Sequence, residues 1–284
     1  MRHVYVNGDF LPETEARVSI FDRGFLFADG VYEVTLVLDG KLVDFSGHMA
    51  RLRRSLGELD MRFSLTEESL LAIHRELIER NEIGEGLVYL QVTRGAADRD
   101  FIFPQESTPN TVVLFTQKKA IVDSALAARG QHVVTLDDLR WRRCDIKTVQ
   151  LLYPSMAKMQ AKAQGADDAW LVKDGFITEG SSNNAYIVTT DGTIVTRDLS
   201  ADILHGITRE AVLHCASDLQ LRIEERPFTV EEIENAAEAF STSASGLVNP
   251  VVNINGKPIG VGKPGAITAH LRQIYVERSR ASAI

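Results

Sequence analysis

The chain has 284 residues, of which 44% are hydrophobic and 25% charged, with a formal net charge of −8 and two cysteines. This is ordinary globular composition, long enough for one large or two moderate domains with ample core. It argues against a nucleic-acid binder, a disulfide framework and a membrane span, and the expectation is a cytoplasmic protein kept reduced.

The opening MRHVYVNGDF alternates like a strand and does not read as a signal peptide. Asn7-Gly8 and Asp39-Gly40 each sit between two apolar runs, the pattern of tight hairpins. A helix follows, with Ser46 as a candidate N-cap and Met49, Leu52, Leu56 and Leu59 at helical spacing. A second amphipathic helix is expected over 66–80, with Leu70, Ile73 and Leu77 on one stripe. Strands at 87–94 and 111–117 complete a smaller N-terminal α/β domain, residues 1–118. Residues 119–131 lack periodicity and read as a connector.

A larger α/β domain is expected over 132–284. A strand leads to the cationic, aromatic segment RWRRCDIKTVQ (140–150), and a helix follows over 155–164. Strands flank turns at Asp174-Gly175 and Asp191-Gly192. Two more helices are expected, one after Thr208 with Val212, Leu213, Ala216 and Leu219 on one face, and one over 265–278. The economical arrangement is two α/β domains with a crevice between them.

Lys147 is the most informative residue. It stands between the cations Arg140, Arg142 and Arg143 and the apolar Val149, Leu151 and Leu152. A lysine drawn out of water among other cations favours its neutral, nucleophilic amine. Glu179, in ITEGSSNNAY, could keep a pyridine nitrogen protonated, and Gly180 to Asn184 could supply donors. Thr208 is a natural N-cap, and the helix it would open is a ready anion site. Ser241 to Gly246 add hydroxyls, and Arg51 carries a fork of donors suited to phosphate. Tyr32 and Glu33 alternate along a strand, so they point to opposite sides. Arg99 lies in the polar loop RGAADRDFIFP. Each has an ordinary explanation on its own: exposed lysine, turn acid, capped helix or solvated arginine face. Cys144 reads as a small buried residue. The seven histidines show no metal-ligand spacing, and neither GxSxG nor HExxH occurs.

Seven segments stand in register along essentially the whole chain: DRGFLFADGVYEV (22–34), HMARL (48–52), YLQVTRG (89–95), RWRRCDIKTVQLL (140–152), TEGSSNNAY (178–186), HGITRE (205–210) and FSTSASGLVNPV (240–251). Together they resemble the fold-type IV pyridoxal-phosphate enzymes, and within them the D-amino acid aminotransferases. The resemblance implies a two-domain α/β (α+β) fold with pyridoxal 5'-phosphate in the interdomain crevice. It implies Lys147 as the Schiff-base lysine and proton shuttle, and Glu179 as the partner of the ring nitrogen. Arg51, Ile207, Thr208 and Ser243 match the phosphate cup, with Leu204 packed on the ring. Where the family has a hydroxyl after Ser243 this chain has Ala244, leaving only a backbone N–H. Tyr32 and Arg99 match the residues that receive the substrate carboxylate, Arg99 being donated across a homodimer interface in the family. The histidine that the family places two residues after that arginine is Phe101 here.

The implied activity is transamination between a D-amino acid (D-alanine, D-glutamate or similar) and a 2-oxo acid such as 2-oxoglutarate or pyruvate. Alternatives on the same fold are a branched-chain L-amino acid transaminase, an (R)-amine transaminase and a 4-amino-4-deoxychorismate lyase. A non-catalytic acidic binding protein is the alternative of a different class.

Overall fold

The structure is a computed structural model describing residues 1–284. The chain divides into two compact units, one of 1–120, 146–150 and 279–284 and the other of 121–145 and 151–278.

The first unit opens with the hairpin β1 (His3–Val6) and β2 (Asp9–Pro12), followed by α1 (Arg23–Phe27), β3 (Gly30–Leu38) and β4 (Lys41–Leu42). Helices α2 (Phe45–Glu58) and α3 (Glu67–Arg80) precede β5 (Glu85–Thr93) and β6 (Thr111–Lys118). The six strands form one antiparallel sheet in the order β2-β1-β6-β5-β3-β4. Asn7-Gly8 and Asp39-Gly40 both turn with φ positive at the two central residues, the twist that joins antiparallel strands without splaying them. The apolar stripe of α3 (Leu70, Ile73, Leu77) and that of α2 (Met49, Leu52, Leu56) bury into the core of this sheet. Each fully buried leucine contributes about 1.5–3 kcal/mol. Thr66 caps α3 by accepting from the Ser69 N–H.

Ser46 is not the cap of α2. The cap position is Asp44, in left-handed backbone at φ 52° and without a side-chain cap hydrogen bond, and Ser46 is already helical.

The second unit begins with α4 (Ala125–Arg129), β7 (Gln131–Asp137), α5 (Leu152–Ala163), β8 (Asp168–Lys173), β9 (Phe176–Gly180), β10 (Asn184–Val188) and β11 (Ile194–Thr196). It continues with α6 (Ile207–Asp218), β12 (Ile223–Glu225), α7 (Val230–Glu234), β13 (Glu238–Ser243), β14 (Leu247–Ile254), β15 (Lys257–Pro258) and α8 (Ala266–Ser282). Its nine-stranded sheet runs β12-β11-β10-β13-β14-β7-β8-β9, with β15 added to β14. The β7 strand is parallel to both neighbours, β14 and β8. Trp170, Ile187, Phe228 and Ile254 are fully buried in its core.

Two assignments differ from the sequence reading. The stretch read as a connector, 119–131, holds α4, and Arg272 ties Ile121 and Val122 into the second unit through their carbonyls. Residues 146–150 group with the first unit although the chain on both sides belongs to the second. The cause is backbone pairing with β3: Lys147 accepts from the Tyr32 N–H at 3.0 Å, and the Val149 N–H donates to Gly30 at 3.1 Å. The alternation of local sequence does not reveal a contact made over more than a hundred residues.

Candidate active site

In the first unit, Tyr32 lies on β3, and Lys147 lies on the strip paired to it. The half-buried Lys147 holds its Nζ 4.3 Å from the centroid of the Tyr32 ring. This is a cation–π contact, and no carboxylate makes an ion pair with the amine. Tyr32 in turn stacks on Tyr89 at 5.5 Å, and Tyr89 on Phe115 at 4.7 Å. The ring under the amine is thus one end of a row of three aromatics.

Glu33, next along β3, points the other way and is fully buried. It is reached by a polar stripe on α2. Arg51 donates Nε and Nη2 to its two carboxylate oxygens at 2.8 and 2.7 Å, and His48 Nδ1 lies 2.7 Å away. Burial alone would raise the Glu33 carboxyl. The Arg51 charge and the hydrogen bonds from Arg51 and His48 outweigh it and hold the group down at about 2. One turn further along, Ser55 Oγ accepts from the Lys147 N–H at 3.4 Å. A single helix face therefore orients Arg51 and supports the Lys147 strip. Of the three arginines on α2, Arg51 is buried, whereas Arg53 and Arg54 pair outward with Glu67 and Glu58.

In the second unit, Glu179 is part of β9. It is buried and accepts from Arg140 Nη1 at 2.5 Å, Asn184 Nδ2 at 2.9 Å and the Leu204 N–H at 3.1 Å. Burial pushes the Glu179 carboxyl up, against the opposing pull of Arg140 and the Leu204 N–H. A desolvated carboxylate of this kind favours a further positive partner. Arg140 is itself fixed by Asp138, through Nε to Oδ1 at 2.9 Å and Nη2 to Oδ2 at 2.7 Å.

Asn184 is the hub of this half. It pairs with Thr242 of β13 in the sheet and donates to both Glu179 and the Leu204 carbonyl. A Cβ on Gly206 would stand 2.1 Å from its Oδ1. Asn184 thus gathers Glu179, the Leu204–Gly206 turn and the end of β13, where Ser243 and Ala244 are half-buried. Helix α6 begins at Ile207 with Gly206 as N-cap and no side-chain cap hydrogen bond, so Thr208 is not the cap but a buried residue of the first turn. The uncapped N–H groups there suit an anion.

Arg99 is exposed, and its guanidinium contacts the rings of Phe27 and Phe101 at 5.3 and 5.5 Å; no hydrogen bond ties it to Tyr32 or Lys147. Burial pushes the thiol of Cys144 up to about 12, so it stays protonated at neutral pH.

The family model "Amino-transferase class IV" matches residues 30–254. The chain belongs to the class IV aminotransferases. It is 38% identical over 273 residues to a D-alanine aminotransferase of Staphylococcus aureus (strain N315), with 96% of each chain covered. It is 39% identical over 270 residues to that of Bacillus licheniformis, covering 95% of this chain and 94% of that one. Among solved structures, the T.th. branched-chain amino acid aminotransferase with pyridoxamine 5'-phosphate matches at TM-score 0.91 and 26% identity, over 99% of this chain and 94% of that one. The Escherichia coli branched-chain enzyme matches in fold at TM-score 0.87 and 20% identity, over 98% and 94%.

The cofactor of this class IV aminotransferase is pyridoxal 5'-phosphate. Each unit carries groups that suit it: the first an amine without a carboxylate partner, the second a buried carboxylate that favours a cation and an uncapped helix start. The sequence reading offered Asn184 only as one of a run of donors and did not single out Arg140 or Glu33. Arg140 was legible only as part of a cationic run. His48, Arg51 and Ser55 share one helix face, and that spacing beside an apolar stripe was the available signal for a buried polar seam.

Proposed function

We propose that this aminotransferase moves the amino group of a D-amino acid, D-alanine foremost, onto a 2-oxo acid such as 2-oxoglutarate or pyruvate. The observation that carries the reading is the Lys147 amine, held over Tyr32 and unpaired by any carboxylate, in a chain 37–39% identical to curated D-alanine aminotransferases. The branched-chain aminotransferases among the solved structures are only 20–26% identical.

When bound, the cofactor supplies an aldehyde that condenses with amines and a ring that spreads the charge left at an α-carbon. In this reading Lys147 Nζ holds the cofactor covalently, then takes and returns the α-proton as the free amine. Glu179 keeps a ring nitrogen protonated, and its elevated proton affinity suits it to sharing that proton. Arg51, the N–H groups of Ile207 and Thr208, the Thr208 hydroxyl, Ser243 and the Ala244 N–H bind the phosphate. Leu204 packs on the ring. Tyr32 and Arg99 receive the substrate carboxylate.

The same reading includes a homodimer. Its support is an apolar patch made by Val18, Ile20, Phe21 and Phe25 with Phe101, Ile102 and Phe103, all exposed. The two segments are joined by backbone hydrogen bonds from Arg23 to Gly95 and from Ala97 to Phe21. A cytoplasmic setting is in keeping with two free cysteines, and no helix is long and apolar enough to cross a membrane.

The test is the visible spectrum of the cofactor-loaded protein, with D-alanine and L-leucine added separately and no acceptor. Bleaching of the lysine-bound cofactor band by D-alanine alone supports the reading. Bleaching by L-leucine alone overturns it in favour of the branched-chain activity.

A further inference from the structure

Three guanidinium groups and three phenylalanine rings interlock at the base of the loop 96–110, which carries Arg99. Arg23, the first residue of α1, is 3% exposed. Its Nε donates to Asp29 Oδ2 at 2.7 Å, and its Nη1 donates to the Asp100 carbonyl at 2.7 Å. Arg94, just beyond the end of β5, donates to the same Asp29 oxygen at 2.8 Å and lies 3.7 Å from the Phe103 ring centroid. The Arg23 guanidinium is 4.5 Å from the Phe27 centroid, and Phe27 is also a contact of Arg99. Phe27 meets Phe101 edge to face at 5.7 Å.

Arg99 is an exposed side chain without a hydrogen bond or ion pair of its own. What limits where it points is therefore the backbone at Asp100 and the two rings beside it. Arg23 reaches the backbone and one of the rings: one end of its fork holds the Asp100 carbonyl, and its guanidinium lies 4.5 Å from the centroid of Phe27, the ring that Arg99 also contacts. Asp29, fixed by Arg23 and Arg94 together, anchors that fork. Phe101 completes the shelf, and it offers an aromatic contact with no hydrogen-bonding group for a substrate carboxylate.

We infer that Arg23 and Phe27 are positioning residues for carboxylate recognition by Arg99. This rests on the reading of Arg99 as the carboxylate-binding arginine. Arg23 acts through the Asp100 carbonyl, Phe27 by guanidinium contact, and neither touches substrate. A lysine at position 23 keeps the charge beside Asp29, but a single ammonium cannot span Asp29 and the Asp100 carbonyl as the planar fork does. The expected signature is loss of binding to molecules that carry a carboxylate, with the chemistry at Lys147 unchanged.

The test compares steady-state kinetics of the cofactor-loaded full-length protein and its R23K, F27L and R99Q variants with D-alanine and 2-oxoglutarate. The melting temperature and bound-cofactor absorbance of each are measured alongside. R23K and F27L are expected to raise KM for both substrates about ten-fold with kcat within about two-fold, and R99Q to raise it at least as much. If R99Q raises KM while R23K and F27L leave it unchanged, the positioning role is overturned and the carboxylate role of Arg99 stands. If R99Q itself leaves KM unchanged, the carboxylate role fails and this inference falls with it. A fall in kcat with unchanged KM in R23K and F27L also overturns it. Should R23K not fold, F27L alone decides, because Phe27 is only half-buried.

Discussion

Arg51 and Glu33 are locked together by two parallel hydrogen bonds of 2.8 and 2.7 Å, with the carboxylate wholly out of water. In the proposed role of Arg51 as a phosphate ligand, the pair fixes its guanidinium plane in advance and so lowers the entropic cost of ordering it. Glu33→Gln removes the charge that balances a buried arginine, a loss of about 3–5 kcal/mol in comparable pairs. The expected outcome is a protein that melts lower and releases pyridoxal phosphate more readily on dialysis. Equal stability and equal cofactor retention in E33Q would count against this account.

Acid should unfold the first unit in two overlapping stages. His74 is buried in α3, where Nδ1 donates to the Leu70 carbonyl and Nε2 has no partner. Burial lowers its imidazole from 6.5 to about 4. Because the folded value is depressed, unfolded chains take up the proton first, and stability falls as pH drops from about 6.5 to about 4. Glu33, lowered from 4.5 to about 2, adds a second loss from about 4.5 downward. Each is on the order of 3 kcal/mol. In urea titrations at pH 7, 5 and 3.5, His74→Leu is expected to abolish most of the loss between pH 7 and 5. An H74L protein with the parent's pH dependence would rule out His74 as its source.

Arg140 opposes the effect of burial on Glu179. Arg140→Met removes that pull, so the Glu179 carboxyl rises further and is protonated over a wider range. In the proposed role of Glu179, a neutral acid is a poor partner for a ring nitrogen that must stay protonated. We expect kcat to fall about ten-fold and the acidic limb of the kcat–pH profile to move to higher pH. An R140M profile superimposable on the parent's would show that Glu179 is tuned by other groups.

Gly206 has an ordinary φ of −69°, so its constraint is space and not backbone strain. A methyl group there meets Asn184 Oδ1 at 2.1 Å. Asn184 must turn aside, surrendering its hydrogen bonds to Glu179 and Leu204. Gly206→Ala is expected to cost about 1–3 kcal/mol of stability and to weaken cofactor binding in equilibrium dialysis. Unaltered stability and binding would mean that the turn yields without disturbing Asn184.

Local chemistry made much of this molecule legible before its structure. Asn-Gly and Asp-Gly dipeptides marked hairpins because both residues tolerate positive φ, as at Asn7-Gly8 and Asp174-Gly175. Apolar spacing marked α3 because Leu70, Ile73 and Leu77 share one face. The caps were read less well: Ser46 and Thr208 are good capping residues by type, yet the chain enters those helices at Asp44 and Gly206. Lys147, Glu179 and Arg51 stood out only through the register of seven segments. Their partners did not, because Glu33–Arg51, Asn184–Glu179 and Arg140–Glu179 join residues 18, 5 and 39 positions apart through the fold. Such pairs leave no periodic trace.

The strip that carries Lys147 also closes an open border. Beside residues 30–32, β3 has β5 on one side, while β4 covers only its far end at Val37 and Leu38. The hydrogen bonds from Tyr32 to Lys147 and from Val149 to Gly30 fill the other side. Without them, β3 would present unpaired backbone groups to any passing chain. The segment that carries Lys147 is therefore also a guard against edge-to-edge association. Substitutions that loosen it should forfeit activity and solubility together.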